Sequence, residues 1–230
     1  MCIRDRYDNI YVPQDWYRIT ETLKMKPDTK LIGLHPFGTQ FRLDESTAAF
    51  SGFGGPKAMV ESSEGGANML MGIGINTGGY NYRAVGVKWM ANADSYMNDV
   101  KFVGGHGGLW KPKPGVEEPR GRWNRPARIS SPDNPVAASG MDLAWDNQYW
   151  SLWVTNNGGG TFKDIWTAST YATNGFYANN TSTPGRIYAM SIEHHVRNEV
   201  RFSKVSNWKV YCMPVSYTHL RAHETELHLV

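Results

Sequence analysis

Short runs of alternating apolar and polar residues dominate the chain, and apolar residues rarely recur at the spacing of an amphipathic helix. The runs are rich in β-branched and aromatic residues and are punctuated by Gly, Asn and Asp, which predicts many short strands. The pattern places them at Ile10–Val12, Tyr17–Thr20, Lys30–Gly33, Met69–Ile75, Val85–Trp89, Val100–Val103, Ser151–Thr155, Phe162–Trp166, Gly175–Tyr177, Ile187–Ile192, Val200–Phe202 and Trp208–Tyr211. Tight-hairpin signals are scarce: Asn174-Gly175 is one, and Asn157-Gly158 opens a glycine run. Antiparallel neighbours are joined by such turns whereas parallel ones need longer crossovers, so a coiled, parallel arrangement is expected rather than a meander. The echo of Asn98-Asp99-Val100-Lys101-Phe102 in Asn198-Glu199-Val200-Arg201-Phe202 suggests stacked solenoid units. In each, Asn would sit at a turn, with Val and Phe inward and the basic residue outward.

Residues 104–148 break this rhythm. Gly104-Gly105-His106-Gly107-Gly108 leads into a Pro- and Arg-rich stretch from Trp110 to Pro135, with Trp110 and Trp123 among its basic residues. A long loop excursion is expected there, either functional or covering the solenoid flank.

The two termini carry a different signal. Met1-Cys2-Ile3-Arg4-Asp5-Arg6 can be encoded by a segment whose reverse complement encodes Pro214-Val215-Ser216-Tyr217-Thr218-His219. No fold requires such an inverted match, and the pair resembles translated sequencing-library adaptor. Residues 1–6 and 214–230 are therefore read as adaptor-derived and set aside, as any processing scar is. That leaves 7–213 as a partial, truncated domain whose natural chain is expected to continue on both sides.

Composition narrows the classes further. Setting the ends aside removes Arg4, Arg6 and Arg221 together with Asp5, Glu224 and Glu226, so the net charge stays at +3. That small surplus gives no clustered basic stripe of the kind nucleic acid selects. Cys212 is left as the sole cysteine of 7–213, which excludes an intramolecular disulfide there. No apolar run approaches the roughly eighteen residues of a membrane-spanning helix; Met69–Ile75 is strand-sized and glycine-broken.

Several segments together resemble a known group. Ile10-Tyr11-Val12-Pro13, Tyr17-Arg18-Ile19-Thr20, Leu23 and Leu31-Ile32-Gly33 resemble the opening of the pectate-lyase-like superfamily, except at Gln14-Asp15-Trp16, where the turn glycine would lie. Gly72-Ile73-Gly74-Ile75-Asn76-Thr77-Gly78-Gly79, Ala84–Trp89, Asp99–Phe102 with Gly104–Gly107, and Glu193–Glu199 are similar to glycosyl-hydrolase-related β-helix proteins. The likeness runs through nearly all of 7–213, and the order of its short motifs carries it. It implies an all-β, right-handed parallel β-helix acting on polysaccharide outside the cytoplasm, extracellular or periplasmic, with no cofactor.

Glycoside hydrolysis needs two carboxyl groups, about 5–5.5 Å apart for retention and about 6.5–9.5 Å for inversion. Neighbouring strands lie about 4.7–4.9 Å apart, so outward acids on adjacent or alternate rungs suit either outcome. Glu193 is the leading candidate. Period two through Ile187–His195 puts Tyr188, Met190, Ile192 and His194 inward and Ala189, Ser191, Glu193 and His195 outward. His195 would then stand beside Glu193 and tune or orient it. Asp164 is a further catalytic candidate, with Asp142 and Asp146 behind it; the competing role for a strand-end Asp is a turn cap. His195 and Glu199 could chelate zinc only if their segment were helical, which Asn198 and the β-branched residues disfavour, so no metal is expected.

Substrate contacts are expected from aromatic platforms and cations. Trp145, Tyr149, Trp150 and Trp153 form the cluster for stacking against sugar rings, set against ordinary core packing; Tyr149 and Trp150, being successive, should face opposite ways. His106 is a further candidate, and Arg197 would bind a substrate carboxylate or pair with Glu199. Three functions stay open at this point: a glycoside hydrolase, a lyase or epimerase on a uronate-containing glycan, and a non-catalytic polysaccharide-binding β-helix. Fold cannot choose among them.

Overall fold

The computed structural model describes residues 8–103, 148–167, 170, 172–193, 195 and 198–216. The described residues form an all-β parallel solenoid of about six turns, without helices. Each turn lays down three strand tracks. The first three turns are β1 (Asn9–Val12), β2 (Asp15–Arg18) and β3 (Leu23–Lys24); β4 (Lys30–Gly33), β5 (Thr39–Arg42) and β6 (Lys57–Glu61); then β7 (Met69–Met71), β8 (Gly74–Asn76) and β9 (Ala84–Trp89). The fourth has β10 (Tyr96–Asn98), β11 (Lys101–Val103) and β12 (Gln148–Val154). In the fifth and sixth, β13 (Gly160–Thr167) and β15 (Gly185–Glu193) each serve the first two tracks, followed by β14 (Ala172–Thr181) and β16 (Asn198–Val205). The short strands β17 (Trp208–Val210) and β18 (Val215–Ser216) pair with β15. Tracks one and two share one sheet; track three is the other.

All the strand pairings are parallel, so equivalent side chains stack in ladders. Ile10, Leu31, Leu70, Met97, Phe162, Ile187 and Val210 follow one another in register through track one. Tyr17, Phe41, Ile75, Phe102, Thr167 and Ile192 do so in track two, and Leu23, Val60, Val87, Leu152, Phe176 and Val200 in track three. Apart from Val210, which is exposed at the last turn, the three ladders meet inside the coil as one core. Each fully buried aliphatic or Phe side chain contributes about 1.5–3 kcal/mol, which is why a glycine-rich chain with short strands holds together.

The corner between tracks one and two repeats a backbone device. Gly72, Asp99, Asp164 and Ala189 have φ of 64°, 50°, 50° and 54°. The pairing of Asn98 with Met71 and Lys163, and of Lys163 with Tyr188, stacks these four left-handed residues directly above one another. A left-handed residue upsets the alternation of faces, so Leu70 and Ile73, Met97 and Val100, Phe162 and Ile165, and Ile187 and Met190 are all buried although each pair is three apart. The chain thereby turns without leaving the core.

Several strand expectations change. Leu23–Lys24, Thr39–Arg42, Lys57–Glu61 and Tyr96–Asn98 are strands that alternation did not flag, and Met69–Ile75 splits at Gly72. The echoed segments are not equivalent: Asn98 stands at the end of β10 in the first sheet, whereas Asn198 opens β16 in the second and pairs with Asn174. Val100 and Phe102 are buried, and Val200 and Phe202 pack against the core, so only the local inward reading is seen. The 104–148 excursion begins after Val103 and ends at Gln148, which already opens β12; 104–147 lie outside the described residues. Val215–Ser216, in the stretch read as adaptor-derived, pairs with Ile192 and Glu193. A solenoid edge accepts any extended backbone, because the ladder is made by main-chain groups alone.

Candidate functional site

The outward side of track two presents Trp16, Gln40, Gly74, Lys101, Trp166 and Ser191 in register. Residues 34–38 fold over its middle. A Cβ on Gly74 would strike the Pro36 carbonyl and approach Gln40 Cγ to 2.9 Å, so only glycine admits this covering loop. The loop holds the Phe37 ring edge-on to Trp166 at 6.1 Å and beside His35 at 5.7 Å. Phe37 is 46% exposed, as is Trp16 at 42%, over which the Arg42 guanidinium sits at 4.5 Å. The face thus carries aromatic rings on both sides of the loop.

Glu193 ends β15 on this side and is half-buried. The Trp166 indole N–H donates to its Oε1 at 3.1 Å, and the Ser191 hydroxyl donates to the same oxygen at 2.9 Å. Both described donors fall on Oε1, so the carboxylate is oriented through one oxygen while Oε2 carries neither of them. Hydrogen bonds to an ionised acceptor are the stronger kind. Ser191 shares the outward face with Glu193 as the alternation predicts; Trp166 lies in a predicted strand, but its distance from Glu193 in sequence hides the pairing.

Asp164 is not brought to Glu193. Thr167 is opposite Ile192, so the two acids are four positions apart along the track, roughly 13 Å of backbone at about 3.3 Å per residue. Asp164 occupies a left-handed corner, where a short polar side chain is tolerated. Its carbonyl accepts from Lys101 at 2.8 Å, and the same ammonium lies 3.2 Å from Asp99. These contacts are those of a turn.

His195 departs furthest from expectation. The left-handed Ala189 breaks the alternation in β15, leaving Tyr188 exposed and Ile187, Met190 and Ile192 buried. The His195 side chain has no exposure and does not flank Glu193. Its Nδ1 lies 2.7 Å from Glu199 Oε2, its backbone N–H donates to both oxygens of that carboxylate, and its Nε2 is 3.1 Å from Thr170 Oγ1. Ser151 donates to Thr170 at 3.3 Å. A proton on Nδ1 for Glu199 leaves Nε2 to accept from Thr170, so the chain Ser151, Thr170, His195, Glu199 satisfies every member.

That order of hydroxyl, imidazole and carboxylate matches a nucleophile, base and orienting acid. With Thr170 4% exposed and the imidazole enclosed, no substrate carbonyl reaches the hydroxyl. The array instead pins the corners of three successive turns. Gly175 makes room for it, since a Cβ there would meet Thr167 Oγ1 at 2.7 Å and His195 Cε1 at 2.8 Å. His195 and Glu199 do meet, but across a strand-to-strand corner rather than on a helix. Among the described residues no group of three or more His, Cys, Asp or Glu is placed to hold a metal ion.

Trp150 and Trp153 lie on track three, away from Glu193. Trp150 packs against Trp153 at 4.6 Å, Tyr177 at 4.8 Å and Tyr149 at 5.4 Å. Tyr149 and Trp150 therefore gather on one side, both half-buried, instead of splitting between core and surface. Trp145, His106, Arg197, His194, Asp142 and Asp146 lie outside the described residues. No family model matches this chain, and no curated protein matches it.

Proposed function

We propose that this solenoid is a carbohydrate-active enzyme of the glycoside hydrolase class, binding a polysaccharide across the outward side of track two with Glu193 as general acid or base. The observation that carries this reading is the Glu193 carboxylate, oriented through one oxygen by Trp166 and Ser191, beside the aromatic pair Phe37 and Trp166. Aromatic faces stack on the apolar faces of sugar rings, and a positioned carboxyl can deliver or remove the proton that glycosidic cleavage requires. Asp164 stands four positions from Glu193 along the track, so Asp142 and Asp146, outside the described residues, are tested beside it as the second carboxyl. A polymeric substrate of this kind fits an extracellular or periplasmic location, as the pectate-lyase-like resemblance also implies.

A second reading, non-catalytic polysaccharide binding, is favoured by the placement of Asp164 four positions from Glu193 along the track rather than opposite it. One experiment separates the readings. The chain and its Glu193→Gln variant are incubated with a panel of neutral and acidic polysaccharides, and reducing ends, unsaturated ultraviolet-absorbing products and binding are measured. Hydrolysis predicts new reducing ends that fall at least about 100-fold in the variant. An unchanged rate in Glu193→Gln removes Glu193 from the chemistry; unsaturated product assigns a lyase; binding without either product leaves the non-catalytic reading.

A further inference from the structure

We propose that the outward face of track three is a second, separate glycan-binding surface that takes an anionic polysaccharide. The inference does not depend on Glu193 being catalytic. In register across four turns stand Lys88, Trp153, Tyr177 and Arg201. Trp150 fills the angle between Trp153 and Tyr177. Core packing does not account for the two indoles: Trp150 and Trp153 are half-buried and outside the cluster that fills the coil, whereas Trp89, on the same track, belongs to it, and Tyr177, 9% exposed, lies beneath Trp150 and Arg201 as their support.

Two features suit a polymer of acidic sugars. The rings are fixed before any ligand arrives, since the Trp153 indole donates to Asn179 Oδ1 at 2.8 Å and the Tyr149 hydroxyl donates to the Gly54 carbonyl at 2.8 Å. Preorganised aromatic surfaces cost little entropy on binding. A cation closes each end of the row: Lys88 Nζ stands 5.3 Å from the centre of the Trp153 ring, and the Arg201 guanidinium 5.0 Å from that of Tyr177. Sugar rings would stack on the indoles while their carboxylates meet Arg201, whose planar fork suits a carboxylate, and Lys88. Lys88 also lies 3.6 Å from Glu61, a partly exposed pair that contributes little and would yield to a ligand carboxylate.

The test is affinity electrophoresis of the whole chain in gels containing polygalacturonate, a neutral β-glucan or no polymer, with single-stranded DNA titrated in a parallel binding assay. The expected result is selective retardation by polygalacturonate, with apparent affinity at least about tenfold weaker in Trp153→Ala and in the double variant Lys88→Gln/Arg201→Gln. Glu193→Gln should bind like the parent, so failure of the hydrolase reading leaves this result standing. The double variant keeps the aliphatic stems of half-buried Lys88 and exposed Arg201 and should melt close to the parent; if Trp153→Ala fails to fold, the double variant decides. Equal retardation of parent and double variant, or tighter binding to DNA than to polygalacturonate, overturns the proposal.

Discussion

Exchanging Ala189 for glycine should stabilise the protein, although glycine in a strand ordinarily weakens it. Ala189 holds φ at 54° in the column shared with Gly72, Asp99 and Asp164. A residue bearing Cβ pays about 1–2 kcal/mol in that region, and Asp recovers part of it through local hydrogen bonding that a methyl group cannot make. Ala189 is exposed, so removing its methyl opens no cavity. Glycine's greater freedom in the unfolded chain takes back about 0.5–1 kcal/mol. The net gain is about 0.5–1 kcal/mol, or about 1–4 °C in melting temperature for a chain of this size. The reverse exchange three turns earlier in the same column supplies the contrast. A Cβ on Gly72 would strike the Gly33 carbonyl oxygen and lie 2.8 Å from its carbonyl carbon, both in the neighbouring turn. Strain of about 1–2 kcal/mol and overpacking of about 1–3 kcal/mol together predict a loss of about 2–5 kcal/mol for Gly72→Ala. Thermal and urea unfolding followed by circular dichroism would read both. An Ala189→Gly variant that melts below the parent, or a Gly72→Ala variant that melts with it, refutes the stacked left-handed corner.

Three further outcomes follow from named contacts. Thr170→Val removes the hydroxyl that serves His195 Nε2 inside the fold, and should cost about 1–3 kcal/mol in urea unfolding; a neutral result would show that the buried array is dispensable. Asn68 accepts from Ser63 and donates to the Lys26 and Thr29 carbonyls while 2% exposed, so Asn68→Ala should lose about 2–3 kcal/mol, checked the same way. The Tyr188 phenol is held above its ordinary value by its hydrogen bond to Tyr211, then by burial and by the charge of Tyr211, with Arg186 opposing. The folded state therefore favours the neutral phenol: this contribution is complete below the ordinary phenol range near about pH 10 and is lost as pH rises through the raised folded value. In Tyr211→Phe the late-ionising phenol of the ultraviolet titration should move down toward the ordinary range, and an unmoved step would separate Tyr188 from Tyr211.

Much of the architecture was legible because it rests on local chemistry. β-branched and aromatic runs make strands, Gly, Asn and Asp make corners, and scarce hairpin signals leave parallel coiling as the economical solution. The track-one-to-two corner was also written in the chain, as Leu70-Met71-Gly72-Ile73, Met97-Asn98-Asp99-Val100, Phe162-Lys163-Asp164-Ile165 and Ile187-Tyr188-Ala189-Met190. The turns differ in length, so no fixed period exposes this repeat, while the more visible Asn98 and Asn198 echo joins positions on different sheets.

The choice of Glu193 came from its strand context, yet its surroundings are tertiary. Trp166 reaches it from the preceding turn, and Phe37 reaches Trp166 from a loop three turns earlier. Period-two reasoning fixes faces only while the backbone stays extended, and one left-handed residue in β15 reverses the prediction upstream of it, burying Ile187 and exposing Tyr188, while Met190, Ile192 and Glu193 keep their expected sides. His195, expected beside Glu193, lies past the end of β15, where strand alternation no longer sets its side, and is enclosed with Thr170 and Glu199 instead. The sequence by itself determined most of the strands, the residue types at the corners and the parallel coil, since those depend on neighbours a few positions apart. Only the tertiary structure decided which turns stack in which register, and therefore which carboxylate, indole and imidazole share a face, because that depends on main-chain pairing between turns of unequal length.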